Sequence, residues 1–261
     1  MTQLWFTVYV TAVGAAVGSF LNVCIYRWPE GLSVVRPRSR CPACEAAIAW
    51  YDNIPIVSWL VLRGRCRHCG ARISVQYPLV ELVTALLWLA MALRSGPSLE
   101  AIRGGVFLSL LLGIAILDAR HRIIPDQLSL LGAVAGLGLA LVPGGISFLT
   151  ALIGAAVAYG FMWIVKLGGE AAFRKPALGV GDIHMMAMVG AFVGLSGAIL
   201  TIMLGSVFGL VIGVPLMSLK GRLRVLGTYL PLGTFLAMGG AVAYVWGHAL
   251  IAWYLSLVLP G

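Results

Sequence analysis

The amino-acid sequence predicts an all-α, polytopic membrane protein of about eight transmembrane helices that carries one small polar insert. Of its 261 residues, 61% are apolar and only 10% are charged, and the mean hydropathy is +0.99. Soluble domains average about 45–50% apolar and about 25% charged residues, so a soluble globular fold is excluded. A helix that spans a bilayer needs about 20 mostly apolar residues, and the chain contains several such runs.

Eight apolar runs are visible along the chain. The first leads straight into Arg27 and has no basic region before it, which is typical of a retained span and not of a cleavable signal peptide. Spaced glycines such as Gly190 and Gly194 indicate close packing of helices within one bundle. The predicted spans are 4–26, 78–94, 102–118, 127–143, 147–166, 182–195, 197–219 and 228–257.

The distribution of lysine and arginine predicts which side of the membrane each loop faces. With both termini outside, the inside segments hold 16 of the 18 basic residues if Lys166 is counted with its adjoining loop. The bias accounts for the net charge of +9, so no nucleic-acid partner is expected, and anionic lipid headgroups are the natural counter-surface. The predicted inside loops are 27–77, 119–126, 167–181 and 220–227.

The first inside loop differs from the rest of the chain in composition. Residues 27–77 carry eight arginines and four of the five cysteines. A segment of about fifty residues is marginal for an independent hydrophobic core, and a bound metal is a common remedy. We therefore expect three parts: a first transmembrane helix at 1–26, a cytoplasmic insert at 27–77 and a membrane bundle at 78–261.

Four cysteines of the insert form two C-x-x-C pairs. The pair Cys41 and Cys44 is separated by 21 residues from the pair Cys66 and Cys69, a spacing close to that of zinc ribbons. The alternatives are a pair of disulfides or idle thiols, and disulfides are disfavoured in the cytoplasm. With four thiolates the zinc would be tetrahedral and structural. Cys24, in the first helix, is expected to be a small packing residue.

Two aspartates lie at the ends of separate apolar runs and, by the predicted topology, on the same side of the membrane. Asp118 closes the third run, and Asp182 opens the sixth after the turn Gly179-Val-Gly181. Carboxylates are costly close to a bilayer core, so acids in such places tend to be functional. The two glycines allow the backbone to approach a substrate closely. The alternatives are that Asp182 caps a helix and that Asp118 pairs with a nearby arginine.

A pair of carboxylates can share one proton and activate water for peptide hydrolysis. One ionised carboxylate takes a proton from water, while the other, protonated, donates to the scissile carbonyl oxygen. Asp126 is expected to cap the fourth helix, with an accessory role left open. For His184 two interpretations stay open, a contact with an interfacial carboxylate or the substrate and an ordinary histidine at the membrane interface. Glu81 is expected to face the bundle or the cytoplasmic boundary, with an arginine of the insert as its partner.

These residues occur in motifs that resemble those of type IV prepilin peptidases over most of the chain. The opening run Gly18-Ser-Phe-Leu-Asn22 resembles the family's opening motif, and the two cysteine pairs and Tyr77-Pro-Leu-Val-Glu81 resemble its cytoplasmic insert. Asp118 with Ile124-Pro-Asp126, and Gly179-Val-Gly-Asp182, resemble its two catalytic aspartate motifs, and Leu230-Pro-Leu-Gly233 resembles its last-helix motif.

The resemblance implies a bacterial inner-membrane aspartyl protease with Asp118 and Asp182 as its catalytic pair. Its substrates would be type IV prepilins or type II secretion pseudopilins, cut after a glycine at the cytoplasmic face. Many such enzymes then methylate the new N-terminus with S-adenosylmethionine, and the four-cysteine insert accompanies the bifunctional members. The chain departs from the family at His184, where lysine is usual, and at Ala85, where glycine is frequent.

Three other interpretations compete with a bifunctional protease. The first is a peptidase without methyltransferase activity, which does not account for the complete cysteine insert. The second is a transporter with an acidic relay, which predicts acids at the bilayer midplane and inverted repeats. The third is a membrane-anchored zinc module that binds a partner, which gives no reason for the Gly-x-Gly-Asp turn.

Overall fold

The computed structural model describes residues 1–176, 178–219 and 230–258, without the side chains of 217–219. Apart from the insert, which is mostly turns and irregular chain, the described residues are largely helical, and the β pairing among them consists of two isolated bridges within the insert. A 3₁₀ turn covers Trp50–Asn53, and a π-helical turn covers Gly209–Gly213. The α-helices are α1 (Thr2–Arg27), α2 (Val57–Val61), α3 (Gln76–Ser95), α4 (Leu99–His121), α5 (Asp126–Ala140), α6 (Phe148–Phe173), α7 (Val180–Phe208), α8 (Val214–Leu219) and α9 (Leu232–Val258).

Six stretches in the described chain are long and apolar enough to cross a membrane, and α5 is a shorter apolar helix. One of the six, Val180–Leu216, has 37 residues. At about 1.5 Å per residue it is far longer than a bilayer core of about 30 Å. Because this stretch reverses direction within its length, it supplies two of the eight predicted segments. The multi-pass helical fold is therefore confirmed.

The chain divides into two compact units, Met1–Ser109 and Leu110–Gly261. In the first unit α1 packs along α3, and Val10, Trp88 and Ala92 are buried at the contact. Gly14 and Gly18 allow the close approach: a Cβ at Gly14 would lie 2.7 Å from the Trp88 ring. Trp88 donates to the Ser109 hydroxyl at 2.9 Å, which satisfies its indole N–H inside the packed helices.

In the second unit α7 packs against α5, α6 and α9. Its helical path is broken at Gly194, where φ is 70° and ψ is −173°. This region of backbone space is essentially restricted to glycine, so the residue type determines where the chain bends. We call 180–193 the first arm of α7 and 195–208 its second arm.

Contacts along the two arms show that the bend is a reversal. The first arm runs antiparallel to α6, because Gly190 packs against Gly154 near the start of that helix. The second arm runs antiparallel to α9, with Gly205 against Leu236 and the π-helical Gly213 against Phe235. The two arms therefore return the chain to the end of the unit at which α7 begins.

Several predicted boundaries differ from those observed. Helix α6 continues to Phe173, seven residues beyond the predicted end, because Lys166 and Glu170 pair at 3.9 Å one turn apart and allow the helix to extend with polar side chains. Helix α5 ends at Ala140 and not at 143. The predicted loop 220–227 and the first two residues of the last predicted span lie outside the described residues.

Candidate active site

Asp118 lies in the last turn of α4 and is 6% exposed. Its Oδ2 accepts two hydrogen bonds from Thr234 near the start of α9, one from the backbone N–H at 2.7 Å and one from the hydroxyl at 3.0 Å. The predicted alternative, a pair with a nearby arginine, is not the main contact, although Arg122 is close enough to interact electrostatically. Oδ2 of Asp118 is thus held in place by α9.

Asp182 is the third residue of α7, and Gly179 is the N-cap residue of that helix. The backbone N–H of Gly179 donates to the Asp182 carboxylate, so the predicted capping role is present for one oxygen. Asp182 Oδ1, in contrast, is buried without a hydrogen-bond partner among the described residues. Buried polar atoms are nearly always paired in native structures, and an exception is frequently functional.

The loop after α4 connects the surroundings of the two aspartates. A Cβ at Gly181 would lie 2.8 Å from the Ile124 carbonyl oxygen, and a Cβ at Gly233 would contact the Ile124 side chain. Only glycine permits both approaches at these distances. Asp118 and Asp182 are close enough to interact electrostatically. The two predicted acids therefore belong to one site, with Gly181 and Gly179 shaping the backbone of α7 beside them.

A second polar cluster is centred on His184, two residues after Asp182 on α7. His184 Nδ1 and Asp126 Oδ1 are 2.7 Å apart, and the His184 ring stacks on Tyr159 with a centroid separation of 6.0 Å. This confirms the predicted contact of His184 with a carboxylate. Asp126 was predicted to cap α5, which is wrong: it is the first residue of that helix, Pro125 is its N-cap, and the carboxylate is used by His184 instead.

The four insert cysteines converge as their spacing predicts. Their sulfur atoms all lie within 4.8 Å of one another, with Cys41 3.8 Å from Cys69 and Cys44 4.0 Å from Cys66. A tetrahedral zinc site with Zn–S bonds of about 2.3 Å places its sulfur atoms roughly 3.8 Å apart. All four are free thiols, so the predicted disulfide alternative is not observed. The cluster could hold a metal ion.

Each cysteine pair is held in the same tight turn. In the first, the Cys41 N–H donates to Ala46 O at 3.0 Å; in the second, the Cys66 N–H donates to Ala71 O at 2.8 Å. The backbone N–H groups of Ala43 and Cys44 lower the pKa of the Cys41 thiol to about 7.

The second pair repeats this electrostatic arrangement. The backbone N–H groups of Cys69 and His68 lower the pKa of Cys66. The N–H of Ala46 acts in the same direction on Cys44, but hydrogen bonds with Cys69 and the other thiols, together with burial, outweigh it and raise the pKa of Cys44 to about 12. The backbone amides of each turn thus favour the thiolate form of its leading cysteine, which is the form that binds metal.

Glu81 was predicted to face the bundle or the cytoplasmic boundary, with an arginine of the insert as its partner. It is buried in the first unit at 7% exposure, and among the described residues it forms no ion pair with an arginine. Its Oε2 accepts from the backbone N–H of Ile56 at 2.6 Å, and the Ser19 hydroxyl also bonds to it. The arginine interpretation is wrong because the insert presents a backbone amide to this carboxyl. The predicted packing role of Cys24 is confirmed by its 1% exposure.

Three residues at the acidic site were given no role from the sequence. Thr234 is 116 positions from Asp118, Ile124 is an ordinary apolar residue, and Tyr159 lies within a span. Two motifs carried a signal: Ile124-Pro-Asp126 contains Ile124, and Leu230-Pro-Leu-Gly233 ends one residue short of Thr234.

The fold and the two clusters define a multi-pass membrane protein with a paired-carboxylate site and a separate four-cysteine site. Comparison with protein families narrows this class. The model described as the Type IV leader peptidase family matches residues 105–214, and that of the Bacterial Peptidase A24 N-terminal domain matches residues 12–95. The chain belongs to the type IV leader peptidase family.

Three relatives illustrate the similarity, and each is named a prepilin leader peptidase/N-methyltransferase. The protein from Myxococcus xanthus (strain DK1622) is 44% identical over 83% of this chain, but the match spans only 65% of that relative's length. The Aeromonas hydrophila protein is 34% identical, covering 92% of this chain and 90% of its own. The Pseudomonas aeruginosa protein is 36% identical, covering 97% and 94% respectively. No solved structure gives a significant match.

Proposed function

We propose that this chain is a membrane aspartyl endopeptidase that removes the leader peptide of type IV prepilins or type II secretion pseudopilins. Cleavage would follow a glycine at the cytoplasmic face, and the new N-terminal residue would then be methylated with S-adenosylmethionine. The observation that carries the peptidase assignment is that Asp118 and Asp182 lie close enough to interact, and that Asp182 has a buried oxygen with no hydrogen-bond partner within the described ranges. The names of the relatives support both activities.

The pair can perform hydrolysis with no group beyond water and the peptide. One carboxylate, ionised, accepts a proton from water as the water oxygen attacks the scissile carbonyl carbon. The other, protonated, donates to the carbonyl oxygen, giving a tetrahedral diol. Collapse of this diol breaks the C–N bond, and a carboxyl proton passes to the leaving amine. Thr234 would hold Asp118 in place during these steps, and Gly179 would do the same for Asp182.

We propose zinc as the ion of the cysteine cluster, with Cys41, Cys44, Cys66 and Cys69 as its ligands. The sulfur separations and the lowered pKa values of the leading thiols support this assignment. Four thiolates fill a tetrahedral shell, so the ion would stabilise the insert and take no part in hydrolysis.

The proposed setting is the bacterial inner membrane, with both termini outside and 27–77 as a cytoplasmic module between α1 and the bundle at 78–261. The positive-inside bias of the loops supports this orientation. The two acids would then lie at the cytoplasmic boundary, where a prepilin's leader meets its apolar helix and where water is available. Anionic lipid would contact the basic loops.

The test is single substitution of each acid by its isosteric amide. Asp118→Asn and Asp182→Asn are each expected to lower cleavage of a co-expressed prepilin by at least roughly a thousandfold, as removal of one member of a catalytic unit does. Both proteins should still insert in the membrane. Glu30→Gln, which neutralises an exposed acid of the first unit, is the matched control and should cleave normally.

Mass spectrometry of the prepilin N-terminus reports the cut position and any added methyl group together. Cleavage at the wild-type rate by either asparagine variant would refute the assignment of Asp118 and Asp182 as the catalytic pair. A correctly cut but unmethylated product from the wild type with methyl donor present would support the peptidase alone. That result would point to Ala85 and His184, the two departures from the family pattern.

A further inference from the structure

A cavity of about 630 Å³ lies in the first unit between α1 and the insert. Its volume lies within the range of about 300–1,000 Å³ that is usual for small-molecule sites. Ser19 on α1 lines one side, and residues of the insert, among them Arg38, Trp50, Asn53 and Pro55, line the other. We call this space the α1 cavity.

Two arginines line the α1 cavity: Arg27 stabilises its wall, and Arg38 is exposed. Arg27 donates to the carbonyl oxygens of Ser33 at 2.9 Å and Pro37 at 2.8 Å, which fixes the loop that forms this side. Arg38 follows directly, is exposed, and makes no ion pair within the described part of the chain. A guanidinium in this position is a ready partner for a ligand carboxylate, which it can bind through two parallel hydrogen bonds.

Trp50 supplies a flat apolar surface at the edge of the same cavity. Its side chain is 81% exposed although indole is among the largest apolar groups. Exposed aromatic rings beside polar groups are typical of sites that stack a planar ligand. The Asn53 amide and the Ser19 hydroxyl add hydrogen-bonding groups on the cavity wall.

A carboxyl group without a counter-charge lies directly behind this wall. Glu81 on α3 is bonded to the Ser19 hydroxyl and to the Ile56 N–H, one residue beyond Pro55, and no cation pairs with it among the described residues. Ile56 reaches it with φ of 63° and ψ of −52°, which a β-branched residue rarely adopts. Such strain persists only where the surrounding structure imposes it, and it clusters at functional sites.

We infer that the α1 cavity binds the methyl donor S-adenosylmethionine; this rests on the proposed methyltransferase function. The methionine carboxylate would pair with Arg38, the adenine ring would stack on Trp50, and the positive sulfonium would lie on the side of Glu81. A cationic ligand centre gives the buried carboxyl the counter-charge that the protein does not provide.

The test compares two ligands that differ in one charge. S-adenosylmethionine carries a sulfonium, whereas S-adenosylhomocysteine has a neutral thioether and is otherwise nearly the same. Equilibrium dialysis of each labelled ligand against the purified full-length protein in lipid nanodiscs, without prepilin, measures binding and not turnover.

The variants are expected to give distinct patterns. Arg38→Ala and Trp50→Ala should each weaken both ligands by roughly tenfold, a change that corresponds to about 1.4 kcal/mol. Glu81→Gln keeps an acceptor for Ile56 and should weaken the sulfonium ligand by roughly tenfold more than the thioether. Arg36→Ala removes an equally exposed guanidinium that does not line the cavity, and should leave both affinities unchanged.

Wild-type affinities in both Arg38→Ala and Trp50→Ala would overturn the location, and both side chains are exposed enough for these variants to fold. An equal loss of both ligands in Glu81→Gln would overturn the role of that carboxyl. If the wild type binds neither ligand, or if phosphatidylglycerol fills the cavity and excludes them, the inference fails. If the same preparation still cleaves prepilin, the proposed peptidase function stands even though the inference about the α1 cavity fails.

Discussion

Replacing Thr234 by valine tests whether α9 positions a catalytic carboxyl group. Valine keeps the shape of threonine and the backbone N–H that donates to Asp118 Oδ2 at 2.7 Å, but it removes the hydroxyl that donates at 3.0 Å. A hydrogen bond to a charged group contributes about 1.5–3 kcal/mol. At about 1.4 kcal/mol per factor of ten, its full loss in the transition state corresponds to a fall in kcat of about 10- to 150-fold.

The assay follows cleavage of a prepilin peptide by the purified protein and separates kcat from KM. Thr234→Val should lower kcat with KM nearly constant, because the hydroxyl contacts the proposed catalytic acid Asp118. Thr234→Ser restores a hydroxyl and should recover most of the rate. A valine variant within twofold of wild type, or a serine variant as slow as valine at equal thermal stability, would refute the positioning role.

Three further outcomes are expected. Cys41→Ser with Cys44→Ser should abolish bound zinc by elemental analysis and increase proteolysis of the insert, because two thiolates remain; unchanged metal content would exclude these ligands. Gly194→Ala should destabilise the fold by about 1–3 kcal/mol in denaturant titration, since its backbone conformation suits only glycine. Gly160→Ala, in open space on α6, is the control and should be neutral or stabilising. His184→Leu breaks the 2.7 Å contact with the Asp126 carboxylate and should lower kcat severalfold, whereas His184→Lys keeps a hydrogen-bond donor for that carboxylate and should retain most activity; equal rates for both would contradict a role for this contact.

The sequence predicted the parts of the site that depend on local spacing. Each C-x-x-C pair places two cysteine sulfurs within one short turn. The fold therefore had only to bring the two turns together to form the four-cysteine site. The positions of Asp118 and Asp182 could be read from where apolar runs stop, since a carboxylate is excluded from the middle of a span.

The remaining features depend on distant packing, for which one sequence carries little signal. Thr234 reaches Asp118 only because α9 returns beside α4, and nothing at position 234 differs from a threonine that packs in a helix. Glu81 was expected to find an arginine because eight lie in the insert. The strained backbone of Ile56 provides its partner instead, and no residue-type pattern encodes that strain. Gly194 was assigned to packing alone, whereas its left-handed φ also makes the reversal.

The reversal at Gly194 has a consequence for how the protein inserts into the lipid bilayer. The two apolar arms of α7 are connected by a single residue, so no polar loop between them has to be translocated across the membrane. Both arms must therefore insert together as a helical hairpin. An epitope or a protease site inserted at this apex would force hydrophilic chain through the hydrocarbon layer. The apex should therefore be the least tolerant point of the second unit for tagging.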